Sequence, residues 1–228
     1  MRFGGVHAVR DVNFSLGERE LRCLIGPNGA GKSTFFKILT GQLKPTSGAV
    51  LLRGEDVTSA EPHDIARRGV GIKTQVLSVF DGLTVRENLW LAVARTHRGA
   101  QARAAVEAML ERVGLTAIAS RLVGQLAHGQ RQWVELGVVL STDPDLVLLD
   151  EPAAGMTDQE VLRTVELVRD INETKALIVV EHDMQFIRMI ASKVTVFNQG
   201  AVLMEDDVEV IMHSSIVRDI YLGKQAAA

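Results

Sequence analysis

A glycine-rich segment near the start of the chain constrains the fold more than any other feature. It runs Gly26-Pro27-Asn28-Gly29-Ala30-Gly31-Lys32-Ser33-Thr34 and fits the phosphate-binding loop pattern G-x-x-x-x-G-K-[ST] at every fixed position. Glycines let successive backbone N–H groups point at an anion, and the lysine adds a charge for the β- and γ-phosphates. A predicted strand precedes the loop and a predicted helix follows it, so we expect bound phosphates at a helix N-terminus. The alternative is an ordinary glycine-rich turn.

The composition describes a globular chain without a bias toward nucleic acid. Its 228 residues suit one large domain, or one domain with an inserted subdomain, and 46% of them are hydrophobic. The net charge of -3 lacks the basic excess of a general nucleic-acid binder. No apolar run is long enough to span a membrane, and no signal peptide is visible. The single cysteine, Cys23, makes no internal disulfide and is expected to be buried, which fits the cytoplasm.

Strand-like and helix-like segments alternate along the chain. Continuous apolar runs indicate strands buried on both faces of a parallel sheet, and these are Leu146 to Leu149, Ala176 to Val180 and Val194 to Phe197. Further strands are predicted at 21–25, 50–53 and 69–74, and helices at 35–39, 62–68, 158–171 and 184–191. Helical periodicity runs from Thr84 to about Leu140, with Thr84 and Glu87 as a capping box. The pattern predicts a parallel α/β core with a helical insertion in its middle.

Polar side chains follow three of the predicted strands, where ligands bind in open α/β sheets. Asp150 fits a carboxylate near Mg²⁺, and Glu151 fits a general base that polarises the attacking water. His182 fits a hydrogen-bond partner of the γ-phosphate. Gln75 ends another strand and is able to contact Mg²⁺ or water without adding charge. The alternatives are solvated loop charges and, for His182, a surface residue where Asp183 caps the next helix.

The order of these motifs resembles the ATP-binding cassette (ABC) family of transporter ATPases over essentially the whole chain. That order is the phosphate loop, Gln75, Leu126-Ala127-His128-Gly129-Gln130, Asp150-Glu151 and His182. The resemblance implies an α/β P-loop NTPase fold with a RecA-like parallel sheet and an antiparallel β-subdomain. It also implies that residues 1–228 form a single nucleotide-binding domain, with a helical subdomain inserted at about 78–140.

The resemblance also implies a role for each matching position, with ATP and Mg²⁺ as the cofactors. Phe3 matches the aromatic residue that stacks on adenine, and residues Gly26 to Thr34 match the phosphate-binding loop. The implied catalytic residues are Lys32, Glu151 and His182, and the implied metal ligands are Ser33, Gln75 and Asp150. The implied signature, which caps ATP bound to the other subunit, consists of Ala127, His128, Gly129 and Gln130.

The sequence departs from the family pattern at three places. Ala127 replaces the signature serine, and His128 stands where glycine is usual. The loop expected to cross to the partner subunit, Ala154-Gly155-Met156-Thr157, differs from the usual S-A-L-D. Phe3 stands closer to the first residue than the family's adenine-stacking aromatic does, so we expect a truncated chain or a short sheet edge there.

The absence of a membrane segment implies an importer-like arrangement with separate transmembrane permease subunits. The apolar segment Val76 to Phe80 is the expected docking patch, and local core packing is the alternative. We also expect a second ATPase subunit, identical or related, an indirect link to a solute-binding protein, and peripheral attachment at the cytoplasmic face of the inner membrane. Nucleic acid is not an expected partner.

The transported solute is inferred from similarity alone. Lys73 to Phe80 resembles the branched-chain amino-acid uptake group, and Leu126 to Trp133 with the ending Tyr221-Leu222-Gly223 is closest to its urea-uptake subgroup. We therefore expect an ATPase that drives uptake of urea or a short amide. The alternatives are a branched-chain amino-acid importer ATPase, a soluble ABC ATPase that does not transport, and a non-catalytic nucleotide sensor.

Overall fold

The computed structural model describes residues 1–74 and 78–222 of the chain. The chain divides into two compact units, of which the first comprises Met1–Arg68 and the residues from Ile178 onward. The second comprises Gly69–Leu177. None of the helices in the described ranges is long and apolar enough to cross a membrane.

Short strands and helices alternate along both units. The strands are β1 (Arg2–Phe3), β2 (Val6–His7), β3 (Leu21–Ile25), β4 (Leu51–Leu52), β5 (Glu55–Asp56), β6 (Val70–Lys73), β7 (Leu146–Asp150), β8 (Ala176–Val180), β9 (Lys193–Asn198) and β10 (Ala201–Asp207). The helices are α1 (Lys32–Leu39), α2 (Pro62–Arg67), α3 (Val85–Val93), α4 (Gly99–Arg112), α5 (His128–Leu140), α6 (Asp158–Asn172), α7 (Met184–Ile190), α8 (Val208–His213) and α9 (Ser215–Leu222).

The first unit is built on a mixed sheet in which β3 lies between β9 and β8. Strand β3 runs parallel to β9, and β10 runs antiparallel to β9. All five residues of β3 are buried, and β1–β2 and β4–β5 form small antiparallel hairpins. The Phe35 ring of α1 packs against Phe14 and Phe197, with ring centroids 5.5 Å and 5.2 Å apart. This aromatic contact fixes α1, the helix after the phosphate loop, against the sheet.

The second unit combines a parallel strand pair with a group of helices. Strand β6 pairs with β7 from Val70 opposite Leu146 to Lys73 opposite Leu149. Helices α3, α4 and α5 pack on one another and bury Leu89, Leu110 and Leu136. The buried Asn88 amide accepts the Phe80 N–H at 2.8 Å and donates to the Phe80 carbonyl at 3.1 Å, which ties the chain before α3 to that helix.

The structure confirms the buried strands and the Thr84–Glu87 capping box, but several boundaries differ. Helix α1 begins at Lys32, because the last loop residues already adopt helical geometry. The predicted strand at 50–53 shrinks to Leu51–Leu52, which pairs with β5 in a two-stranded sheet. The long helical stretch is interrupted after Gly114 by short 3-10 turns before α5 begins. Strand β10 and helices α8 and α9 were not predicted; the boundaries of a helical subdomain stay a prediction.

Candidate nucleotide-binding site

The phosphate-loop motif in the first unit adopts a backbone that requires glycine at two positions. Gly26 has a φ of +146° and Gly31 a φ of +104°. A Cβ on Gly26 would lie 2.2 Å from the Phe197 carbonyl oxygen, and a Cβ on Gly31 would lie 2.5 Å from the Ala8 carbonyl oxygen. Gly29, with a φ of +78°, faces open space, since no atom lies within 4 Å of a Cβ built there. The loop is therefore closely packed on the protein side and open at Gly29.

The N-terminus of α1 is free of side-chain caps. Its N-cap, Gly31, makes no side-chain hydrogen bond, and the first helical turn contains no acidic residue. The first intrahelical bond closes from the Phe35 N–H to the Gly31 carbonyl at 2.9 Å. The N–H groups of Ser33 and Thr34 precede that bond, in the first turn where backbone N–H groups have no intrahelical acceptor. A helix start of this kind favours an anion through both its N–H groups and its dipole.

The side chain of Lys32 folds back over its own loop. Its Nζ donates to the Gly26 carbonyl at 2.5 Å and to the Pro27 carbonyl at 3.2 Å. These contacts hold the cationic head beside the backbone that a phosphate would approach. The loop residues thus fit a triphosphate, because lysine, helix start and open glycine converge in one unit.

His182 lies in the same unit, in the turn between β8 and α7. Its side chain is 63% exposed, whereas the neighbouring Glu181 side chain is buried. The Glu181 Oε2 accepts the backbone N–H groups of His182 at 2.9 Å and Asp183 at 3.3 Å. Asp183 caps α7 by accepting the N–H groups of Gln185 and Phe186. Because Glu181 and Asp183 fix the backbone, the His182 imidazole is presented to solvent. Phe3, on β1 of this unit, is 47% exposed.

The predicted carboxylates lie in the second unit at the end of β7. Asp150 is the last residue of that strand, and Glu151 follows it with a φ of +47°. A non-glycine residue in this left-handed region carries backbone strain, which is common at functional positions. The turn is closed by the Ala154 N–H, which donates to the Glu151 carbonyl at 3.3 Å. Asp150 and Glu151 are both half-buried.

The candidate signature forms the start of α5 in the second unit. Ala127 is the N-cap and has no side-chain oxygen for the helix N–H groups, whereas Gln130 Oε1 accepts the Ala127 N–H at 3.2 Å. The His128 ring is exposed, and its Nε2 lies 3.1 Å from Gln132 Nε2. A Cβ on Gly155 would lie 3.4 Å from the His128 Cδ2 atom. His128 is therefore oriented by its own helix and by the loop expected to cross to a partner.

Gly129 is the signature position with the least room. A Cβ there would lie 2.4 Å from Glu160 Oε1 on α6. Glu160 also accepts the Thr157 N–H at 2.9 Å and the Thr157 hydroxyl at 3.0 Å in the capping box of α6. The signature glycine therefore lets α5 approach the start of α6 closely.

A buried ion pair between β6 and α5 was missed in the sequence. Lys73 Nζ lies 3.9 Å from Glu135 Oε2, and both side chains are almost fully buried. Burial raises the pKa of Glu135. Two weaker effects lower it: the Ser78 N–H, which donates to Glu135 Oε1 at 2.9 Å, and the charge of Lys73. The only available signal was Lys73 itself, a lysine ending an apolar strand. Gln75, the predicted metal ligand two residues later, lies outside the described residues.

Comparison with known proteins identifies the family. The ABC transporter family matches residues 9–154. The high-affinity branched-chain amino acid transport ATP-binding protein LivG of Escherichia coli K12 is 37% identical over 98% of this chain and 95% of its own length. The corresponding protein BraF of Pseudomonas aeruginosa is 37% identical with the same coverage.

Solved structures show the same fold. The ADP-bound MJ1267, an ATP-binding cassette of an ABC transporter, is 26% identical with a TM-score of 0.88, covering 98% of this chain and 96% of its own. A dimeric post-hydrolysis structure of the cassette MJ0796 with ADP and Pi is 25% identical with a TM-score of 0.80, covering 91% and 94%. The predicted fold class, a P-loop ATPase with a mostly parallel sheet, is confirmed.

The comparisons support one of the predicted functions better than the other. LivG and BraF are both named for branched-chain amino acid transport, which was the alternative, and neither is named for urea. ATP binding and hydrolysis are common to the family. The chain belongs to the ABC transporter family, as an ATP-binding subunit that hydrolyses ATP.

Proposed function

We propose that this chain is the ATP-hydrolysing subunit of an importer for branched-chain amino acids. The observation that carries the proposal is its 37% identity to LivG and BraF over almost the full length of each chain. Urea or a short amide, which the Leu126 to Trp133 segment favoured, is the competing solute. No residue of an ATPase subunit contacts the solute, so the choice between them needs a transport measurement.

The proposed nucleotide site draws on the whole phosphate loop. Residues Gly26 to Thr34 hold the phosphates, after Lys32 exchanges its two carbonyl partners for phosphate oxygens. The exposed ring of Phe3 stacks on adenine. Described residues include no cluster of three or more His, Cys, Asp or Glu side chains that would hold a metal alone. Following the resemblance, we assign Mg²⁺ to Ser33, Asp150 and Gln75 together with phosphate oxygens, where it would neutralise phosphate charge.

The proposed hydrolytic step uses Glu151 and His182. Glu151 accepts the proton of the attacking water as general base, and its strained backbone fixes the carboxylate at the end of β7. His182 hydrogen-bonds the γ-phosphate from a turn anchored by Glu181. Lys32 stabilises the charge that develops on the transferred group.

The proposed partners follow from the family assignment and the exposed surfaces. A second ATPase subunit, identical or related, receives the Ala127-to-Gln130 signature over its ATP, through the uncapped N–H groups at the start of α5. Permease subunits dock near Val76 to Phe80, where the Phe80 side chain is 62% exposed. Val76 and Leu77 lie outside the described residues. A solute-binding protein acts indirectly, and the chain attaches at the cytoplasmic face of the inner membrane.

The proposal is tested by placing the subunit with its permease, second ATPase and binding protein in vesicles. Leucine is expected to stimulate both ATP hydrolysis and its own uptake, whereas urea and short amides are not. Stimulation by urea alone would contradict the amino-acid assignment, and the absence of uptake of any solute would contradict transport. Phe80→Asp is expected to abolish uptake while ATP binding persists, with Leu162→Asp, a change at another exposed apolar residue, as the matched control.

A further inference from the structure

The last described helix reaches the phosphate loop through a tyrosine. The Gly26 N–H donates to the Tyr221 hydroxyl oxygen at 2.6 Å, although the two residues are 195 positions apart in the sequence. Burial raises the pKa of Tyr221, against the lowering effect of that N–H, so the phenol stays protonated at neutral pH. The contact joins α9 to Gly26, the first residue of the loop after β3.

Gly26 is the loop residue with the least freedom. It is buried, its φ is +146°, and a Cβ there would lie 2.2 Å from the Phe197 carbonyl oxygen. Its carbonyl accepts Lys32 Nζ at 2.5 Å. Gly26 is thus held at its N–H by Tyr221 and at its carbonyl by Lys32. The two contacts use different groups of Gly26, so a Lys32 side chain that turned to a phosphate would not have to break the tyrosine contact.

The position of Tyr221 is set by packing within α9 rather than by the loop. Val217, one turn earlier on the helix, is 2% exposed, and the Arg218 N–H donates to the Ser214 carbonyl at 3.0 Å. Helix α9 packs on α8, and α8 packs on β10. The hydroxyl is therefore presented to Gly26 by an element anchored independently of any nucleotide.

We propose that Tyr221 is a positioning residue for ATP binding, which holds Gly26 in its left-handed conformation so that the loop N–H groups are preset for phosphate. A buried backbone N–H without a partner costs free energy, and the loop would relax to satisfy it. In this proposal Tyr221 acts through its contact with Gly26 rather than by binding the nucleotide. The inference depends only on ATP binding and not on which solute is imported.

Tyr221→Phe removes the hydroxyl and keeps the ring, so it tests the contact directly. The Kd and KM for ATP are expected to rise about 3- to 10-fold, as the loss of one hydrogen bond predicts, with kcat at saturating ATP unchanged within about twofold. Ile216→Ala is the matched control, because Ile216 lies on the same helix and is exposed. An unchanged Kd, or a fall in kcat with KM unchanged, would overturn the proposal.

Hydrogen exchange of single amides separates positioning from general stability. In Tyr221→Phe the Gly26 amide is expected to exchange at least about tenfold faster, whereas the Leu24 amide within β3 keeps its rate. Uniformly faster exchange across the unit, with ATP affinity unaltered, would assign Tyr221 a merely structural role and reject the proposal. Unaltered exchange at Gly26 would show that the contact is absent.

Discussion

The phosphate loop and the signature segment are both helix starts without side-chain caps, yet they are built differently. Before α1, glycines with positive φ leave no room for a side chain at Gly26 or Gly31. Before α5, Ala127 has an ordinary extended backbone, and its N–H donates to the Gln130 side chain. We therefore expect substitution to be least tolerated at Gly26 and Gly31, where a side chain would meet backbone atoms, and better tolerated at Ala127.

This difference is consistent with the two substitutions found in the candidate signature, at Ala127 and His128. The loss of a hydroxyl at Ala127 leaves the N–H groups of α5 in place, and Gln130 still satisfies the Ala127 N–H. Gly155, with a φ of +69°, lies beside the His128 ring, because a Cβ built on it would be 3.4 Å from His128 Cδ2, an ordinary contact distance. The candidate signature and the crossing loop, which both depart from the pattern, therefore lie close to each other.

Among the substitutions that test this comparison, the largest effect is expected at Gly26. Gly26→Ala should lower ATP affinity roughly a hundredfold or more, because the clash with the Phe197 carbonyl adds to backbone strain on the order of 1–3 kcal/mol. Gly29→Ala is the matched control, since Gly29 also has a positive φ but faces open space, and roughly a five- to tenfold loss is expected. Titration with a fluorescent ATP analogue measures both affinities. Equal losses of ATP affinity in Gly26→Ala and Gly29→Ala would show that the clash with the Phe197 carbonyl adds nothing.

A smaller effect is expected at Gly155. Gly155→Ala should lower turnover roughly three- to tenfold by straining the loop beside the His128 ring, while ATP binding to a single chain is unchanged. Gly48→Ala is the matched control, because Gly48 also has a positive φ but no neighbour within 4 Å. Steady-state hydrolysis and ATP titration on both variants separate the position beside His128 from backbone strain alone. Equal turnover in Gly155→Ala and Gly48→Ala would contradict a role for that position.

The smallest effect is expected at Ala127. Ala127→Ser should raise ATP-driven dimerisation or turnover roughly two- to fivefold, because it restores one hydroxyl where the backbone N–H groups already act. Hydrolysis and sedimentation with ATP measure both quantities. An absence of gain in both would show that His128 and the α5 N–H groups fully replace the hydroxyl.

The sequence predicted those parts of the site whose residues are neighbours along the chain. The phosphate loop was recognisable because one local stretch of backbone fixes the spacing of its glycines, lysine and hydroxyl residues. Strands β7 and β8 were recognisable because each is a continuous apolar run. Strand β10 was missed because its Glu205-Asp206-Asp207 segment is polar, and the strand lies at the end of the described sheet, next to β9. The Tyr221–Gly26 and Lys73–Glu135 contacts join residues far apart in the sequence, so no local pattern indicates them.

The most direct measurement is sedimentation and hydrolysis of Glu151→Gln with Mg²⁺ and ATP, on the chain alone and with its related ATPase. If Lys32 holds the triphosphate, Glu151 activates the water and a second subunit's signature closes the site, ATP should produce a stable dimer. Hydrolysis should fall by about 10²- to 10⁴-fold, and adding Lys32→Ala should abolish the dimer. Hydrolysis at the rate of the unchanged protein, or ATP bound without any dimer in either mixture, would contradict this arrangement.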